Sequence, residues 1–231
     1  MRPNQHDTRT VRSGAAQPTP VSRLERAIRS WPSREAHEWT RRMVQAACAN
    51  PSVLAVVAIG SAVRMVNASD DVDFLLIHGS DEPPAFGLQP LDVDVLQYAA
   101  PTVDDKLALG HDLLGWAIQF GVLLCERERY WSNLTKRWND RIPLPSADQA
   151  AERAARARRL TEDLRTVGDL ESAAEQHISW LTHDARALLI RSGVYPASRP
   201  ELAGQLRQIG AFAEADELDA ALADRLRAST L

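Results

Sequence analysis

Two aspartates open an apolar run in "ASDDVDFLLIHG", residues 68–79, and no other feature constrains the chain as tightly. In a strand, alternate side chains face opposite sides, so Asp71, Asp73 and Leu75 share one face while Val72, Phe74 and Leu76 share the other. The run is apolar enough to be buried, and a buried carboxylate is costly unless something positive pairs with it. A second stretch, "LDVDVLQYA" at 91–99, repeats the device, with Asp92 and Asp94 on one face and Val93 and Val95 on the other. Side by side, the two strands would gather three or four carboxylates, whose mutual repulsion calls for metal ions. Ligands that are all oxygen suit Mg²⁺, which takes one or two carboxylates and completes its shell with waters and substrate phosphates. A nucleotide is therefore implied, and Gly60-Ser61, just after the run "VLAVVAI", fits one. A residue without a side chain lets phosphate approach the backbone, and a helix starting at about Ala62 would offer free N–H groups.

The remaining chain sorts into three regions. Residues 1–20 are polar, rich in Pro, Thr and Arg, and without periodicity, so a disordered segment is expected. Residues 22–50 read as helix interrupted at Pro32, with Ser33 as the cap of the second piece and Glu35 in its first turn. From Val53 to Tyr98, short apolar runs are punctuated by Gly, Pro, Asn and Ser, which is a strand texture. Beyond Thr102 the pattern is helical throughout. It takes in "DDKLALGHDLLGWAIQFGVLLCERERYW" and an Ala- and Arg-rich helix with Ala157, Leu160, Leu164 and Val167 along one stripe. Gly168 should end that helix and Asp169 should cap the next, whose core side carries Ala174, Ile178, Leu181, Ala185 and Leu188. "SRPE" at 198–201 is a capping box, and a last helix covers roughly 213–227. The expected fold class is α+β: a short mixed sheet over residues 21–101, then a helical bundle over 102–231.

The order Gly60-Ser61, then Asp71-Val72-Asp73-Phe74, then a strand aspartate in "VDVLQY" resembles the signature of the nucleotidyltransferase superfamily, the DNA polymerase β-like fold. The helical part is similar to the C-terminal bundles of kanamycin nucleotidyltransferase-type and HEPN-like proteins. The resemblance implies two Mg²⁺ ions and transfer of a nucleoside monophosphate, with ATP the expected donor, to a hydroxyl with release of pyrophosphate. It assigns Asp71 and Asp73 to the metals, Asp94 to the third carboxylate and to catalysis, and Gly60 and Ser61 to the β- and γ-phosphates. Arg64 stands near a position where such proteins often carry a basic residue, although "SAVRMV" lacks the usual following Gly. Asp70 competes with Asp71 as the first ligand, and Asp92 with Asp94. Alternation favours Asp71, and the apolar residues on both sides favour Asp94.

Composition narrows the rest. With 45% hydrophobic residues the chain can bury a core, and its apolar runs are too short to span a bilayer. A soluble, cytoplasmic protein is expected, with no membrane partner. A net charge of −4 argues against coating nucleic acid and suits a small cationic acceptor such as an aminoglycoside-like compound. Adenylylation of a protein or RNA, in the manner of an antitoxin, is the alternative function, followed by a non-catalytic nucleotide-binding role; a homodimer stays open. Cys48 and Cys125 have neither metal nor disulfide-framework spacing and are expected as reduced, structural thiols. His177 and His183 are expected as satisfied helix residues, and no ribonuclease motif is visible in the bundle.

Overall fold

A computed structural model describes residues 18–64 and 70–228, without the side chains of residues 226 and 228. The expected disordered segment thus falls, up to residue 17, outside the described residues; Pro20 already belongs to a helix. Helix α1 spans Pro20–Ala27 and α2 spans Arg34–Ala49. Pro32 separates them, and Ser33 caps α2 by accepting a hydrogen bond from the Ala36 N–H at 3.0 Å. Strands β1 (Val53–Ile59), β2 (Val72–His78) and β3 (Val93–Ala99) follow. Then come α3 (Val103–Ala108), α4 (Asp112–Phe120), β4 (Val122–Glu126) and α5 (Tyr130–Trp138). The C-terminal half holds α6 (Ala147–Val167), α7 (Leu170–Arg191), α8 (Leu202–Gln208) and α9 (Phe212–Ala228).

The sheet is mixed, with strand order β3-β2-β1-β4. β1 runs antiparallel to both β2 and β4, and β2 runs parallel to β3. One face, bearing Val56, Phe74 and Leu76, packs on Leu24, Met43 and Val44 of α1 and α2. The other, bearing Val57, Ile59, Leu75 and Ile77, packs on Leu107, Leu114, Ile118, Trp131 and Leu134 of α3, α4 and α5. The period-two reading of the β2 sequence therefore holds: its two apolar sets enter different cores. A short mixed sheet with a large helical part is the α+β class expected.

Three expectations need correction. "GVLLCE" is strand and not helix, so the sheet takes β4 from inside the stretch read as helical. The run is short, and Gly121 at its head sits where a Cβ would collide with Ala117 O and Val57 Cγ1. Glycine there lets the chain leave α4 and fall in beside β1. On α6 the buried line is Ala150, Ala154, Ala157 and Thr161, while Leu160 and Val167 face solvent. Small residues win because α6 lies along α7, and Ala150 meets Ala187 and Ile190 in the seam. On α7 the stripe Ile178, Leu181 and Ala185 is buried as expected, with Ala173 in place of Ala174. Finally, Cys48 and Cys125 are not reduced thiols. They form a disulfide from α2 to β4, with Cα atoms 6.1 Å apart. Sequence spacing missed it because α2 and β4 meet only through the sheet.

The caps read from sequence are in place. Gly168 adopts φ +84° after α6, Asp169 accepts from the Ser172 N–H to start α7, and Ser198 with Glu201 closes a capping box. Among the described residues, no helix is long and apolar enough to cross a membrane.

Candidate functional site

The C-terminal end of β1 and the N-terminal end of β2 meet at one edge of the sheet, where Ile59 pairs with Asp73. Asp73 points to the same side as Leu75 and Ile77, at the start of the strand. Parallel pairing sets Asp94 of β3 directly beside Asp73. The Asp73 carboxyl is mostly buried, and its pKa is pushed up to about 7, first by burial and then by the charges of Asp71 and Asp94. Asp71 and Asp94 thus lie near enough for their charges to act on Asp73. As they stand, no three acidic, histidine or cysteine side chains among the described residues converge closely enough to enclose an ion. The donor set nevertheless suits a hard divalent cation, because a buried carboxylate that resists ionisation beside two others is relieved by positive charge.

Gly60 explains how the edge is kept open. Its φ of +79° with ψ of −167° is a conformation essentially restricted to glycine. A Cβ built on it would overlap Asp73 Oδ2 and approach Asp73 Cγ to 3.2 Å. Ser61 follows in a three-residue 3₁₀ turn, Ser61–Val63, shorter than the helix expected from Ala62. The glycine therefore serves Asp73 directly: it makes the room into which the carboxyl fits.

Arg64 leaves this turn toward the bundle. Its Nη2 donates to Glu201 Oε1 at 2.6 Å and its Nε to both carboxylate oxygens at 3.1–3.2 Å, while the guanidinium lies 5.0 Å from the Phe120 ring centre. Glu201 also accepts from Ser198 Oγ at 2.5 Å. The capping box of the "SRPE" turn thus doubles as the anchor of the Gly60-Ser61 turn. Sequence reasoning found the box and the arginine separately, with no signal that they meet.

The competing aspartates differ in what they meet. Asp70 is exposed and pairs with Arg225 of α9 at 3.1 Å, and Arg225 in turn holds Glu175 of α7 at 2.7 Å. Asp71, not Asp70, adds its charge to Asp73. Asp94, not Asp92, does the same from β3; the Asp92 carbonyl instead accepts the Val72 N–H at 3.0 Å. Arg199, missed in the sequence, stands opposite. Desolvation and Arg225 beside it lower its pKa, while Glu175 and Asp71 raise it. A basic surface of the bundle therefore faces the acidic end of the sheet.

The histidines depart from expectation as well. Nδ1 of His177 and Nδ1 of His183 are buried with no hydrogen-bond partner, so neither is the satisfied helix residue foreseen.

No family model matches this chain, and no curated protein matches it. Among solved structures, the chain is similar to a nucleotidyltransferase-like protein from Exiguobacterium sibiricum 255-15, with 16% sequence identity, a TM-score of 0.37, and coverage of 80% of this chain and 71% of that one.

Proposed function

We propose that the chain is a Mg²⁺-dependent nucleotidyltransferase that moves a nucleoside monophosphate, AMP from ATP, to a hydroxyl of a small molecule and releases pyrophosphate. The observation that carries this reading is the Asp73 carboxyl, held near pKa 7 between Asp71 and Asp94 and fitted against Gly60. A cluster of this kind costs stability in the absence of cations, so its presence at a sheet edge is explained by what it binds.

In this reading Asp71 and Asp73 hold the metals and Asp94 completes the set from the neighbouring strand. Magnesium, when bound, would polarise the transferred phosphoryl group and lower the pKa of the acceptor hydroxyl. Asp94, the more exposed of the strand pair, takes the acceptor proton. Gly60 and Ser61 leave the backbone open to the β- and γ-phosphates, and Arg64 positions that turn by its grip on Glu201. Arg199 offsets charge at the edge of the site.

The test is incubation with α-labelled ATP, GTP, CTP and UTP, MgCl₂ and a panel of hydroxyl compounds, scored by pyrophosphate release and label transfer. Transfer that disappears in Asp73→Asn and Asp94→Asn is the expected result. Pyrophosphate release unchanged in both variants would remove the carboxylates from the reaction. Labelling of a co-expressed protein or RNA, with no small acceptor labelled, would move the activity to the macromolecular class.

A further inference from the structure

A cavity of about 320 Å³ opens between α3 and α4 on one side and α6 and α7 on the other. We propose that this cavity is a binding site for a small phosphomonoester, whose phosphate is held by Lys106, Arg153 and Arg186. The site goes beyond the transferase reading and does not depend on it.

Charge supports the assignment first. Three cationic side chains line the cavity against one carboxylate, that of Asp112. Arg186 Nη1 donates a long hydrogen bond to Asp112 Oδ2 at 3.4 Å, and Arg153 Nη1 lies 3.9 Å from the same oxygen. The guanidinium groups thus keep donors to spare, and planar forks of this kind match a phosphate in two-point fashion. Lys106 makes no ion pair among the described residues; its Nζ lies 5.7 Å from the Tyr98 ring centre. One carboxylate, shared by two of the three cations, leaves an excess of positive charge that a dianion would neutralise.

Two histidines report the same field. The pKa of His111 is lowered by burial and then by Lys106, and that of His183 by burial and then by Arg186, Arg153 and Arg199. Both rings line the cavity beside these cations.

The walls are built rather than incidental. Tyr195 Oη donates to the Asp112 carbonyl at 2.9 Å, tying the segment after α7 to the start of α4. Gly115 on α4 has no Cβ, which makes room for the Tyr195 ring. The volume is at the lower end of small-molecule sites, enough for a phosphate carrying a sugar-sized group.

The experiment is calorimetry in low-salt, phosphate-free buffer with EDTA, using inorganic phosphate, ribose 5-phosphate and ribose as probes, with imidazole proton NMR of the histidines alongside. The expected result is one-site binding of both phosphates and none of ribose, with the His183 and His111 resonances titrating at higher pH when phosphate is bound. Arg186→Gln and Arg153→Gln should each weaken binding by roughly tenfold or more. Asp112→Asn should strengthen it, which keeps the test decisive if an arginine variant fails to fold. Asp73→Asn should leave it unchanged. Absence of saturable phosphate binding overturns the proposal. So does binding that is lost in Asp73→Asn, or that is indifferent to Asp112→Asn and both arginine variants, because it would then lie elsewhere.

Discussion

Replacing Asp73 by Asn should stabilise the metal-free protein, and only where the carboxylate would be ionised. An unfolded chain releases this proton near 3.8, whereas the folded one releases it near 7. Between those values the unfolded state has lost a proton that the folded state still holds, so raising the pH favours unfolding. The wild-type protein should lose stability from about pH 4 through 7 and level off above. Over the whole interval the gap corresponds to on the order of 4 kcal/mol, an upper bound because side chains relax and water enters. Asn resembles the protonated carboxyl in size, so the variant should exceed wild type by only about 1 kcal/mol at pH 4.5 and by the full amount at pH 8. With a urea slope of about 2 kcal/mol/M, the full effect would raise the midpoint by roughly 2 M at pH 8. Urea titrations followed by far-ultraviolet circular dichroism in EDTA, at pH 4.5, 6, 7 and 8, measure this. Other titrating groups, such as His111 and His183, are common to both proteins and cancel in the difference. Adding MgCl₂ at pH 8 should then stabilise wild type and not the variant, by about 2.7 kcal/mol at a hundredfold excess over the dissociation constant. A difference between the two proteins that is the same at pH 4.5 and pH 8, or a variant less stable at pH 8, would refute the picture of a self-repelling cluster.

The disulfide gives a second prediction: its 77-residue separation corresponds to ~4.5 kcal/mol in the chain-entropy picture, so Cys48→Ser with Cys125→Ser should lower the urea midpoint substantially. Ellman titration of denatured protein should find no thiol before reduction and two after it. Gly60→Ala should cost about 1–3 kcal/mol in backbone strain and also abolish the Mg²⁺-induced stabilisation, because the new methyl displaces Asp73; retention of that stabilisation would separate the turn from the carboxylate. Asp71→Asn should lower the Asp73 pKa measured by carboxyl ¹³C NMR, whereas Asp70→Asn, removed to Arg225, should leave it in place. An equal shift in both variants would return Asp70 to the cluster.

What could be read from the sequence was local or strictly periodic. Ser33, Gly168, Asp169 and the Ser198–Glu201 box act within one turn of themselves, so a few residues of context suffice. Asp73 and its apolar neighbours obey a period of two that no distant contact can alter. The failures share a different property. "GVLLCE" satisfies both helix and strand patterns over its short length, and only the open edge of β1 selects strand. The disulfide needs α2 and β4 side by side, and the buried alanines of α6 need α7. In each case a partner far away in the chain chooses among options that are locally equivalent.

The same dependence on distant partners accounts for the acidic edge itself. Burial first, and then the charges of Asp71 and Asp94, raise the Asp73 pKa to about 7. The facing surface of the bundle has the opposite fault: burial, and then Arg225 beside it, lower the pKa of Arg199. Each cluster is unfavourable by itself, and each carries the charge that the other lacks. Two ion pairs join sheet and bundle, Arg64 to Glu201 with the cation on the sheet side and Arg225 to Asp70 with the cation on the bundle, and Arg199 attracts Asp71. The two pairs engage residues just outside the three-carboxylate set, so they fix the bundle against the sheet without using up Asp73 or Asp94. Had Arg225 reached Asp73 instead, the cluster would be neutralised by the protein and would have no call on a cation. The placement of Asp70, one residue before the set, therefore gives α9 an ion pair on the sheet that does not engage Asp73 or Asp94.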